Sequence, residues 1–365
     1  MDMGRGIWTG AMALALAACG LQADAAEQAR VRLAEQLPQW LEQSGTPSAA
    51  VALIERGQLH WTLVAGEQAP GIPANDATLY NVASLAKTVT AEVALRASAA
   101  GVAPLDAPMQ AEWTDPDLVD SPHLSELTAR LCLSHQCGFP NWRSETDGLA
   151  IQWPPGSRAD YSGEGYEYVA RWLEARTGQS LQAMASRYVF EPGEMTRTAY
   201  VRQPWFEGHV AVPRGPDGSD GEPVVRSEAS AADDLYTTIG DFGRFAADVV
   251  DGEGVSAPLA GSRWEIDHDV AEQVCQPGRL QGDACPKRMG FALGWVRFET
   301  GRDTVFFHGG GDWGERAFVM IVPERRFGVV VLANGAGGMA VIRDVVAELY
   351  PDPALVAFLT MQAGG

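Results

Sequence analysis

Strand-forming runs occupy both ends of this 365-residue chain and a helix-forming stretch separates them, so any sheet must draw on segments far apart in sequence. Ala49, Val51 and Leu53 on one side of Arg56-Gly57, and Leu59, Trp61 and Leu63 on the other, predict a hairpin over residues 48–66. Apolar, β-branched runs at 291–298, 304–308, 317–322 and 328–332 are divided by glycine, aspartate and Pro-Glu turns and predict further strands. Helical spacing marks 27–44 (Val31, Leu33, Leu37, Trp40, Leu41) and 339–349, the latter closing the chain. Between the strand blocks, 83–100, 125–133, 165–176, 181–188 and 233–250 carry helical periodicity, with loops such as 204–223 and 252–258 joining them. The economical architecture is α+β: an antiparallel sheet from 27–82 and 290–362, flanked by helices, with a mostly helical region, 83–289, inserted between. A cleft is expected where the insertion meets the sheet.

Forty-seven acidic residues against 27 basic ones give a net charge of −20. A surface that negative repels phosphate backbones and anionic lipid heads, so no nucleic-acid partner is expected. Among the basic residues only Lys87 and Lys287 are lysine; all the others are arginine. Arginine keeps its proton in proteins, whereas a buried lysine can lose it and serve as a base. Lys87 is singled out on that ground. Lys287, beside Arg288, reads as surface charge.

Arg5 precedes an apolar run over residues 7–18, too short to span a bilayer and of the length of a signal-peptide core. The run ends Leu16-Ala17-Ala18-Cys19, which resembles a bacterial lipobox, with Cys19 as the lipidated first residue of the mature chain. Cleavage after Ala23-Asp24-Ala25 is the competing reading and would release a soluble periplasmic protein. The lipoprotein is favoured: residues 1–26 as leader and anchor, a periplasmic body, and Leu21 two residues beyond Cys19 suiting outer-membrane sorting. The lipid would be the sole membrane attachment. Cys132, Cys137, Cys275 and Cys285 form an even set, which in an exported chain predicts disulfides, most simply 132–137 and 275–285 among three pairings. There is no C-x-x-C and no H-x-x-x-H, so neither a metal nor another cofactor is expected.

The chemistry-bearing segment is Asn81-Val82-Ala83-Ser84-Leu85-Ala86-Lys87-Thr88 at the start of a predicted helix. A three-residue step puts Ser84 and Lys87 on one face, close enough for an amine to share the hydroxyl proton. A serine cap with a solvated lysine would have the same spacing but would need no partners downstream. Partners are present. Tyr161, in Asp160-Tyr161-Ser162-Gly163 ahead of a helix, can present its phenol to a cleft, where a lysine ammonium would favour its ionised form and make it a proton shuttle. Phe307-His308-Gly309-Gly310-Gly311 ends a predicted strand, and its glycines let a substrate lie along the edge while a backbone N–H binds an oxyanion.

These residues resemble the β-lactamase-related serine hydrolases, the group of class C β-lactamases, D,D-peptidases, D-aminopeptidases and certain carboxylesterases. Ser84-Leu85-Ala86-Lys87 matches S-x-x-K, Tyr161-Ser162-Gly163 matches Y-x-N, and His308-Gly309-Gly310 matches K-T-G in an H-x-G form. Three landmarks agree in order: 131–140 resembles L-L-x-H-T-S-G-L-P, Leu293-Gly294-Trp295 resembles L-G-W, and 235–242 resembles L-x-S-T-x-x-D-L. The resemblance implies a β-lactamase/transpeptidase-like fold, Ser84 as nucleophile, Lys87 and Tyr161 as the proton-handling pair, and an oxyanion hole from Ser84 and Gly311. It implies substrate contacts at His308, Gly309 and Gly310, and hydrolysis of an amide or ester in a small molecule or short peptide. Gly163 in place of asparagine and His308 in place of lysine weaken recognition of an anionic, amide-bearing β-lactam. The rival reading is a non-hydrolytic penicillin-binding or scaffolding lipoprotein of the same fold. Oligomeric state is not legible.

Overall fold

The computed structural model describes residues 8–364, with side chains from Ala25 onward except that of Ala257. Residues 1–7 and the side chain of Cys19, which carry the leader and lipidation expectations, lie outside the described residues. The helix expected over 27–44 is the C-terminal part of a longer one, α1 (Trp8–Ser44). The hairpin follows as β1 (Ser48–Glu55) and β2 (Gln58–Ala69), turning at Arg56 and Gly57 with positive φ at both. Beyond it come the short β3 (Ile72–Pro73) and β4 (Tyr80–Asn81).

Helices α2 (Ala86–Ala99), α3 (Ala129–Leu133), α4 (Gly163–Thr177) and α5 (Leu181–Ala185) make up the first part of the inserted region. β5 (Tyr236–Thr237), α6 (Ile239–Asp251), α7 (Ala257–Ser262) and α8 (Ala271–Val274) complete it. The chain then returns to the sheet through β6 (Arg288–Phe291), β7 (Val296–Glu299), β8 (Thr304–Gly311), β9 (Arg316–Val322) and β10 (Phe327–Ala333). Helices α9 (Gly338–Leu349) and α10 (Pro353–Ala363) follow.

Eight strands pair antiparallel in the order β3-β2-β1-β10-β9-β8-β7-β6, so the two chain ends meet where β1 pairs with β10. Both faces are covered, and the strand periodicity shows it. Ala50, Ala52 and Ile54 of β1 join the core under the inserted helices, while Ala49, Val51 and Leu53 join the core under α1, α9 and α10. A sheet buried on both sides accounts for its near-continuous apolar runs.

Four expectations need correction. The run at 291–298 is two strands split at Gly294, whose positive φ makes the turn and whose missing side chain leaves room for Ala91 of α2. Of 125–133 only α3 is α-helical, capped by Thr128. The helix expected from 233 begins at Ile239, because Tyr236 and Thr237 pair with β4. And α9 does not close the chain; α10 buries Leu355, Phe358 and Leu359 after it.

Candidate active site

Three local bonds build the turn that presents Ser84. Asn81 Oδ1 accepts the Ala83 N–H at 2.9 Å, Asn81 Nδ2 donates to Asp234 Oδ1 at 2.9 Å, and the Val82 N–H donates to the Leu235 carbonyl at 2.9 Å. They hold Ala83 at φ 46°, a left-handed conformation that costs a non-glycine residue strain. Ser84 follows in the 3-10 turn Ala83–Leu85, which runs straight into α2. β8 presses on this turn so closely that a Cβ at Gly310 would collide with the Val82 carbonyl oxygen.

The helical step brings Lys87 back over the serine. Its Nζ donates to Ser84 Oγ at 3.0 Å and to the Ala232 carbonyl at 2.8 Å. Lys87 is fully buried, and burial pushes its pKa down to about 8 against the upward pull of Asp233 and Glu167. Tyr161 arrives from a distant loop. It precedes Ser162, the N-cap of α4, whose hydroxyl accepts the Gly165 N–H at 3.0 Å and donates to the Pro140 carbonyl at 2.8 Å. The Ser162 N–H donates to His135 Nδ1 at 3.0 Å, and the His135 ring lies 4.5 Å from that of Tyr161. So anchored, the Tyr161 ring centroid sits 4.9 Å from Lys87 Nζ. Burial pushes the phenol up to about 12, while an interaction with Ser84 pulls the other way. The phenol is therefore protonated at neutral pH, and not held in the ionised form expected beside a lysine ammonium.

His308 faces the same centre from β8. Its Nδ1 bonds the Gly309 carbonyl at 2.8 Å, so that nitrogen carries the proton, and Nε2 is buried without a partner. Burial and the charge of Lys87 push its pKa down to about 3, which leaves a neutral ring. Gly309 is exposed, and Gly311 ends β8 opposite Arg316 of β9. β7 pairs with β8 only as far as Phe307, so residues 308–311 have a strand neighbour on one side only.

Gly163 has a physical reason. A Cβ there would meet the Trp142 indole at 2.8–3.0 Å, so the aromatic ring takes the space next to the position of the Y-x-N asparagine. Trp142, Asp233 and Glu167 were not legible as site residues, because a tertiary contact and not a motif brings each of them in. His135 stood in a recognised landmark, but its bond to Ser162 was not legible.

The expected disulfides are not formed: all four described cysteines are free thiols. Cys132 and Cys137 nevertheless interact directly, as do Cys275 and Cys285. Closing either pair takes a two-electron oxidant, which folding alone does not supply. Among the described residues no group of three or more His, Cys, Asp or Glu could hold a metal, and no helix is long and apolar enough to cross a membrane.

The beta-lactamase family model matches residues 24–349. The chain belongs to that family. It is 23% identical over 342 residues to penicillin-binding protein 4 of Amycolatopsis lactamdurans, covering 84% of this chain and 86% of that protein. Unguisins hydrolase ungD of Aspergillus violaceofuscus is 22% identical over 224 residues, a match spanning 55% of this chain and only 39% of that hydrolase. Among solved structures, D-alanine carboxypeptidase AmpC from Burkholderia cenocepacia superposes with a TM-score of 0.72 at 18% identity, covering 89% of this chain and 99% of that one. The β-lactamase/transpeptidase-like fold read from the motifs is the fold observed.

Proposed function

We propose that this member of the family is an exported serine hydrolase that cleaves an ester or amide through an acyl-enzyme on Ser84. The observation that carries the reading is a buried lysine amine, with its pKa drawn down toward neutrality, bonded to a serine hydroxyl. In acylation Lys87, in its free-amine form, takes the Ser84 proton as Oγ bonds to the substrate carbonyl carbon. The backbone N–H groups of Ser84 and Gly311 stabilise the oxyanion. The bond to the leaving group then breaks, and the protonated phenol of Tyr161 supplies that group's proton, recovering its own from Lys87. In the second half a water molecule attacks the acyl carbon, the bond from that carbon to Ser84 Oγ breaks, and the water's proton passes through the same pair to Oγ as the acid leaves.

Small-molecule esters or short peptides are the substrates this site favours, with β-lactams poor ones, because His308 is neutral and Trp142 crowds Gly163. We assign the chain to the periplasmic face of the outer membrane through a lipid on Cys19, on the strength of Leu16-Ala17-Ala18-Cys19. There the Cys132–Cys137 and Cys275–Cys285 pairs would oxidise to disulfides.

A fluorophosphonate probe tests the reading. Wild type is expected to be labelled and Ser84→Ala not, and a short-chain nitrophenyl ester is expected to be turned over by wild type alone. Labelling by a fluorescent penicillin with no turnover of any ester or D-alanyl peptide would instead identify a binder. Equal labelling of Ser84→Ala would remove Ser84 from the reaction.

A further inference from the structure

Beside the catalytic centre opens a cleft of about 860 Å³ whose lining includes Trp142, Glu167, Glu228, Asp233 and Asp312. Two of its carboxylates adjoin residues of that centre in the chain. Asp233 follows Ala232, the carbonyl acceptor of Lys87, and Asp312 follows Gly311, the proposed oxyanion donor. Trp142 lies with its ring 6.0 Å from Lys87 Nζ and is half exposed.

Among the described residues none of the four carboxylates forms an ion pair. The two arginines on the lining pair with other carboxylates, Arg171 with Glu174 at 3.1 Å and Arg226 with Asp234, and act on Glu167 only through their charge. Burial pushes Asp233 up to about 6 against the pull of the Lys87 charge, and raises Glu167 against that of Arg171, so a further cation entering the cleft would relieve both. Two independent features point the same way. The Trp142 indole offers a π-face where an asparagine amide would otherwise reach the substrate. The buried, unpartnered Nε2 of His308 presents a lone pair and asks for a hydrogen-bond donor, where a lysine would ask for an anion.

We propose that the site selects substrates bearing a positive charge, an ammonium or guanidinium, within a few bonds of the scissile carbonyl. The inference rests on the serine-hydrolase reading and names its substrate class. Trp142 and the carboxylates of Asp233 and Asp312 hold the cation, and His308 Nε2 accepts a proton donor on the substrate. At the scale of the whole molecule the net charge of −20 draws cations toward the cleft.

Matched pairs test it. The 4-nitrophenyl ester of 4-(trimethylammonio)butanoate is compared with that of its neutral isostere, 5,5-dimethylhexanoate, and acetylcholine with 3,3-dimethylbutyl acetate. In at least one pair wild type is expected to favour the cation in kcat/KM by about tenfold or more at low salt, with the ratio shrinking as ionic strength rises. The ratio, taken within each variant, is expected to fall toward one in Asp233→Asn/Asp312→Asn and to fall partway in Trp142→Leu. A cation-to-neutral ratio of one or below in both wild-type pairs, with the neutral esters still hydrolysed, would overturn this inference and leave the hydrolase reading standing. Hydrolysis of none of the four esters, together with no fluorophosphonate label on Ser84, would overturn both.

Discussion

A single lysine sets the pH behaviour expected of the site. In the proposed mechanism Lys87 is a base only when unprotonated, and burial draws its pKa down to about 8, so kcat/KM for a neutral ester should climb as pH rises through about 8 and then level off. Asp233 holds that value up by favouring the ammonium. Asp233→Asn should therefore move the rising limb to lower pH, by a few tenths of a unit to about one unit. A limb that stays in place, or moves upward, would show that another group titrates. Lys87→Arg should lose about 10²-fold or more, since a guanidinium cannot give up its proton; a variant keeping most of its rate would remove Lys87 as the base. At this scale the sequence was most legible where chemistry and spacing coincide. Ser84 and Lys87 are one helical turn apart, so the motif itself encodes their contact. Asp233 touches the same lysine's field from almost 150 residues away, and no local pattern in the sequence encodes that.

Elements carry the next level of constraint, and the junction of α4 with its preceding loop shows how. Tyr161 is fixed by the cap of α4 and by His135, so the phenol's position depends on the first turn of a helix. Gly163 is the first residue of that helix, and Trp142 has closed over it. Gly163→Asn alone should drive the indole outward and cost about 1–3 kcal/mol in a denaturant melt, the usual penalty of overpacking. Adding Trp142→Ala frees the space, so the double variant should recover stability relative to Gly163→Asn and be acylated faster than wild type by a fluorescent penicillin. Equal penicillin reactivity in the double variant and wild type would mean that the indole does not govern β-lactam recognition. Elements also account for what the sequence reading missed. α10 announces itself with Asp352 as a cap and Pro353 behind it, but it is apolar on most sides because it buries against Phe298 and Phe307, so it lacks the stripe that periodicity detects. β5 is two residues long, too short for any pattern, yet it delays the start of α6 and anchors the turn before Ser84.

For the whole molecule, the sheet joins the chain's two ends and both of its faces are buried, so strand patterns at each end could be read while the pairing of β1 with β10 had to follow from topology. The four described thiols sit at two places in this frame. Cys132 and Cys137 are fully buried in the inserted region, beneath the start of α4, while Cys275 and Cys285 lie near the rim on the opposite face of the sheet. Within each pair the two thiols interact directly, which makes the pair the natural site of oxidation. Each disulfide closes a short loop, and the chain-entropy estimate for loops of this length is about 2 kcal/mol for the first and about 3 kcal/mol for the second. Protein recovered from an oxidising compartment should therefore show no titratable thiol from these four positions after denaturation, and should lose up to about 5 kcal/mol of stability when fully reduced. The same chain made in a reducing cytosol should show all four thiols. Because the pairs lie far apart, Cys132→Ser and Cys275→Ser should lower the stability of the oxidised protein additively. Four free thiols in the exported protein would contradict both the pairing and the oxidising compartment, whereas mixed connectivity on peptide mapping would contradict the pairing alone.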